Sequence, residues 1–152
     1  MVARPWAWST DAMSQNFVER LLSLWARPIP GGADGEALFA TCYAEQLTVN
    51  GVPFTLADLV TRARALQAAY GDIRGEILEV VETPDRLVVG FVMHVHHTGP
   101  LTTPLGVVEP TGRTAAIRTI DILTMRDGVI TDITVVADEL GLLTQLDAVE
   151  LK

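Results

Sequence analysis

The hydrophobic period of this chain changes once, at Tyr70-Gly71. Before it, apolar residues recur every three or four positions. After it, they alternate, and that switch forces helices first and strands second. Met13, Phe17, Leu21 and Leu24 mark a helix that begins near Asp11, capped by Ser9 or Thr10, and Pro28, Pro30, Gly31 and Gly32 end it. A second helix is expected over about 35–45, with Leu38, Phe39 and Cys42 as its stripe. Residues 47–54 read as a short extended piece with an Asn50-Gly51 turn. Thr55 and Asp58 form a capping box for a third helix, with Leu56, Leu59, Val60, Ala63 and Leu66 inward. Strands follow over 72–84 and 85–97, joined by Pro84-Asp85. Residues 101–113 read as a loop, and Asp127-Gly128 joins strands 114–126 and 129–136 into a hairpin. The end, ADELGLLTQL, is a helical turn that Asp138 can cap. Three helices before a run of antiparallel strands predict an α+β fold, the helices packed on one side of a curved sheet. One domain is expected over 1–152, with 1–10 as a loose N-terminal arm.

Composition narrows the function classes. A net charge of −8 opposes nucleic acid and anionic membrane surfaces as partners. No run is long enough to span a bilayer and the N-terminus lacks a secretory h-region, so a cytoplasmic protein is expected. Cys42 is the single cysteine, which rules out an internal disulfide and a cysteine-based metal site.

A curved sheet closed by helices encloses an apolar pocket suited to a small ligand. Polar residues inside apolar strands are therefore the candidates. Asp121 stands between Ile120 and Ile122. It is either a general acid/base whose pKa is lifted by burial, an ion pair of Arg118 or Arg113, or a residue at an exposed strand edge. His94, His96 and His97 share one short stretch, with period two placing His94 and His96 on one face and His97 on the other. His-x-His can bind zinc, but no third ligand is signalled, so no metal is expected. Asn50 can orient a substrate carbonyl or merely make its turn. Trp25, Tyr43, Phe54 and Tyr70 can line a cavity or fill the core, and Asp138 can cap its helix or act at the site.

Four segments carry a family resemblance. They are His97-Thr98-Gly99, Pro110-Thr111-Gly112-Arg113, Asp127-Gly128-Val129-Ile130, and Asp138-Glu139-Leu140-Gly141 with Gln145-Leu146. Together they resemble the SnoaL-like polyketide cyclases, the ester-cyclase group of the NTF2-like superfamily, over roughly 12–147. The resemblance implies a cone-shaped α+β barrel, a homodimer through the open sheet, and a role in secondary metabolism. It implies aldol ring closure on a hydrophobic polyketide ester, or isomerisation as in the ketosteroid isomerases that share the fold, by proton abstraction next to a carbonyl, without cofactor or metal. The family's catalytic aspartate falls on Val135, and a family histidine falls on Asp121. The expected site is therefore Asp121, His97 and Asp138 as catalytic residues, with Asn50, His96, His94, Tyr43, Trp25 and Phe54 around the substrate. The alternative is a non-catalytic ligand-binding or dimerisation module. Epoxide hydrolysis is disfavoured, because His94-Val95-His96 stands where that chemistry needs Arg-x-Asp.

Overall fold

The computed structural model describes residues 12–152. The expected arm at 1–10, the Ser9 or Thr10 cap and the helix start at Asp11 lie outside the described residues. Helix α1 (Ala12–Ala26) buries Val18, Leu21, Leu22 and Leu24. Met13 was expected on that stripe but is 77% exposed, so the buried face begins a turn later. Helix α2 (Ala33–Phe39) is shorter than expected. Cys42 and Tyr43 leave the helix because β1 (Tyr43–Val49) is drawn into the sheet beside β8 (Val129–Ala137). The Ile130 N–H donates to the Cys42 carbonyl at 2.8 Å, so a partner far along the chain overrides the local helical pattern.

Strand β1 turns at Asn50-Gly51 into β2 (Val52–Thr55), as the sequence indicates. Asn50 holds φ 49° and Gly51 φ 78°, the left-handed conformation this turn requires. Helix α3 (Leu56–Ala69) starts at the Thr55–Asp58 capping box, with both reciprocal bonds present. Strands β3 (Tyr70–Glu82) and β4 (Arg86–His97) match the two expected strands to within two residues at each end. The expected loop at 101–113 contains a small hairpin of β5 (Leu101–Thr103) and β6 (Gly106–Val108). Strand β7 (Thr114–Arg126) and β8 form the Asp127-Gly128 hairpin, and α4 (Glu139–Gln145) closes the chain with Asp138 as its N-cap.

The main sheet has six strands in the order β2-β1-β8-β7-β4-β3. All neighbouring pairs are antiparallel except β1 and β8, which run parallel. The four helices lie on a curved sheet, a cone-shaped α+β fold. Helix α1 crosses β3 at Gly75, where an added Cβ would sit 3.0 Å from Leu22. The absent side chain at Gly75 leaves room for Leu22 to pack directly on the strand. Alternation then sorts the central strands. On β4, Leu87, Val89, Phe91, Met93, Val95 and His97 face the buried side. On β7, Thr119 and Leu123 are buried, while Ile120 (52%) and Ile122 (37%) face outward. No described helix is long and apolar enough to cross a membrane.

Candidate functional site

Asp121 shares the inward face of β7 with Thr119 and Leu123. Its ladder partners are Val89 on β4 and Val135 on β8, so the carboxyl lies between two aliphatic side chains. Its Oδ1 is buried and has no hydrogen-bond partner. Burial in this apolar setting pushes its pKa up to about 7. The structural alternatives considered from sequence do not apply. Arg118 lies on the outward face. Arg113 reaches Asp147 at 3.7 Å instead. Strand β7 is central in the sheet rather than at its edge.

Tyr43 completes the environment. It is 4% exposed, stacks on Phe39 at 5.8 Å and accepts a hydrogen bond from Trp25 Nε1 at 2.8 Å. Trp25 meets Phe39 edge-on, so three aromatic rings from α1, α2 and β1 hold the hydroxyl in place. Burial raises the Tyr43 pKa well above its ordinary value, the Trp25 hydrogen bond opposes that, and the charge of Asp121 adds to it. Because Trp25 donates to the Tyr43 oxygen, the phenolic hydrogen is free to be given elsewhere. A buried carboxyl and a buried hydroxyl thus stand within electrostatic reach of each other, a pair able to take one proton and donate another.

The other expected residues lie elsewhere. His97 is inward and fully buried, but eight residues along β4 from Val89, the partner of Asp121. At strand spacing that is about 26 Å of chain path, so His97 and Asp121 do not form one cluster. His94 faces outward and pairs with Glu76 at 2.6 Å, and its hydrogen bond holds that carboxyl below the usual range. His96, on the same face, contacts the Gly112 carbonyl at 3.0 Å and Asp72 at 3.8 Å. Asn50 uses its amide on the backbone of Val135: its Nδ2 donates to the carbonyl at 3.2 Å and its Oδ1 accepts from the N–H at 2.8 Å. The residue fixes β8 beside β1 rather than reaching into the cone. Asp138 accepts from Gly141 N–H at 2.8 Å as the cap of α4. Phe54 lies under the Arg62 guanidinium at 5.5 Å, beside an open groove of about 480 Å³ at the β1–β2 hairpin. That groove shares no lining residue with the Asp121 environment. Among the described residues no cluster of three His, Cys, Asp or Glu could hold a metal.

The raised carboxyl makes stability depend on pH with a definite sign. The folded state holds this proton up to about 7, whereas an ordinary aspartate releases it near 3.8. Below about 4 both states are protonated and the group contributes nothing. Between about 4 and 7 the unfolded state ionises first, so stability falls as pH rises, and the loss is complete above about 7. Full expression of the shift would cost on the order of 4 kcal/mol. Asp121→Asn should therefore match the parent protein at pH 4 and exceed it by a few kcal/mol at pH 8, read by urea unfolding at both pH values.

TsrD from Streptomyces laurentii superposes with a TM-score of 0.75 at 20% identity, covering 91% of this chain and 98% of its own. AclR from Streptomyces galilaeus, described as a candidate hydroxylase, gives 0.71 at 18%, covering 91% and 98%. IdmH from Streptomyces antibioticus, described as a candidate polyketide cyclase, gives 0.68 at 18%, covering 88% and 97%. At such identities these structures speak for the fold. A comparison with curated proteins returns no match. Residues 32–146 match the family described as SnoaL-like polyketide cyclase, and the chain belongs to that family.

Proposed function

We propose that this protein is a cofactor-independent cyclase or isomerase that removes a proton next to a carbonyl of a hydrophobic, polyketide-like substrate. The observation that carries the reading is Asp121: inward, flanked by aliphatic side chains, unpartnered at Oδ1 and poised near neutrality. A second observation supports it. Val135, on which the family resemblance places the catalytic aspartate, is the direct ladder partner of Asp121. Opposed residues on paired strands hold their Cβ atoms about 5 Å apart. A carboxylate moved from one strand to the next would thus still serve the same region of the cone.

In this reading the ionised Asp121 takes the α-proton. The C–H electron pair becomes a C=C bond, and the carbonyl π pair moves onto oxygen as an enolate. The Tyr43 hydroxyl, oriented by Trp25, donates a hydrogen bond to that oxygen. For ring closure, the enolate carbon bonds to a second carbonyl carbon of the same molecule, and the new alkoxide takes the proton from Asp121. For isomerisation, the acid returns the proton to a different carbon. Enclosure of a folded chain supplies much of the rate, because the closure is unimolecular. A non-catalytic ligand-binding role is the competing reading, and the aliphatic Val135 favours it.

Proton abstraction is measurable without knowing the product. Hydrophobic β-keto esters in D2O should exchange their α-hydrogens faster with the protein than without it. The enzymatic rate should rise with pH through a midpoint of about 7, following ionisation of Asp121. Asp121→Asn should lower it by at least about a hundredfold. No exchange above background across such esters would leave the ligand-binding reading in front.

The outward sheet face supports self-association. Ile120, Ile122 and Val136 (69% exposed) form an apolar strip across β7 and β8, suited to a second copy of the chain. Sedimentation should give a dimer for the parent protein and a monomer for the Ile120→Glu, Val136→Arg double variant. A monomeric parent at micromolar concentration would remove the dimer.

A further inference from the structure

Two interior side chains each carry a polar atom without a partner and take no part in the reaction above. His97 is fully buried, and its Nε2 makes no hydrogen bond. Tyr70 is 3% exposed, and its hydroxyl makes none. They are ladder partners on β3 and β4, with ring centroids 5.9 Å apart. Buried polar atoms without partners are uncommon in native proteins, and here two sit on neighbouring rings.

The other edge of His97 fixes its tautomer. The Thr111 backbone N–H donates to Nδ1 at 3.2 Å, and such a donor needs a lone pair there. The Thr111 hydroxyl lies 3.0 Å from the same nitrogen and accepts from the Arg113 N–H at 3.2 Å. With Nδ1 acting as acceptor, the ring hydrogen is placed on Nε2. That N–H is a donor without an acceptor. Tyr70 resembles it: burial pushes its hydroxyl up to about 12, so it remains an O–H at neutral pH.

Two buried N–H and O–H donors suit a neutral oxygen with two lone pairs. An anion would lose its hydration there without meeting a cation. We propose that His97 and Tyr70 form a binding subsite for a ligand carbonyl oxygen, with the Nε2–H and the phenolic O–H as its two donors. The site is separate from Asp121, at the far end of β4. Phe91, Met93 and Val95 lie between them on the inward face, all buried. The subsite is the polar end of an apolar strip, so the ligand class it fits is an aliphatic ketone or ester. This inference does not depend on Asp121 acting as a base.

An internal water would satisfy the same donors, and the experiment separates the two sources. The full chain, labelled with 15N, is titrated with 2-undecanone while long-range 1H–15N spectra follow the His97 ring. The expected result is an Nε2-protonated ring whose Nε2 and attached hydrogen shift saturably with the ketone. Tyr70→Phe, which keeps the ring, should weaken that binding about fivefold, the loss of one ordinary hydrogen bond. Asp121→Asn should leave the titration unchanged even if it abolishes deuterium exchange, so the two readings can fail separately. An Nε2–H that cross-relaxes with water and ignores the ketone would overturn the subsite, leaving a structural water. Unchanged ketone affinity in Tyr70→Phe would overturn it as well.

Discussion

Strand β7 has a hydrogen-bonded neighbour on each side, so its side chains have only two directions to take: into the helices or away from them. The register with β4 and β8 puts Asp121 on the inward side, between Val89 and Val135. Rotation toward water is blocked by the same alternation that buries Leu123 two residues later. The ionised carboxylate consequently costs free energy in the folded state, which the surrounding apolar core must offset. Phe39, Leu59, Leu123 and Ile130 are all essentially inaccessible and supply that core. A desolvated carboxyl with an unpartnered Oδ1 is a candidate for acid/base work.

The parallel pairing of β1 with β8 makes the site composite. It brings the start of β1 beside β8 and with it Tyr43, whose hydroxyl Trp25 then orients from α1. Asn50 fixes the same junction by closing both of its amide hydrogen bonds on the Val135 peptide, in the left-handed conformation that asparagine tolerates. Residues distant in sequence thus set the position of a single carboxyl. The Thr111 contacts to His97 do comparable work at the other end, tying the Pro-Thr-Gly loop to the strand end.

Local chemistry made much of the fold legible in the sequence. The Thr55–Asp58 capping box, the Asn50-Gly51 and Asp127-Gly128 turns and the change of period at Tyr70 each depend on neighbouring residues, and each stands where expected. Helix α2 ends before its apolar stripe does, because the β8 partner that captures Cys42 and Tyr43 is remote in sequence. The candidate site divides on the same ground. Period two separated His97 from His94 and His96, but no local pattern shows which face the helices cover. Nor could spacing reveal that Asn50 is occupied by Val135, or that Trp25 and Tyr43 meet. The two-sided apolar character of β7 left the direction of Asp121 open until its partners on both sides were known.

The most direct measurement is the pKa of the Asp121 carboxyl, followed by 13C NMR across a pH titration, with Asp121→Asn to assign the resonance. A midpoint of about 7 is the result this account predicts. It would establish a desolvated carboxyl able to exchange its proton at neutral pH. A midpoint at or below about 4, the range of an ordinary aspartate, would contradict it. Asp121 would then be solvated or ion-paired, and the proton-abstraction chemistry would lose its base.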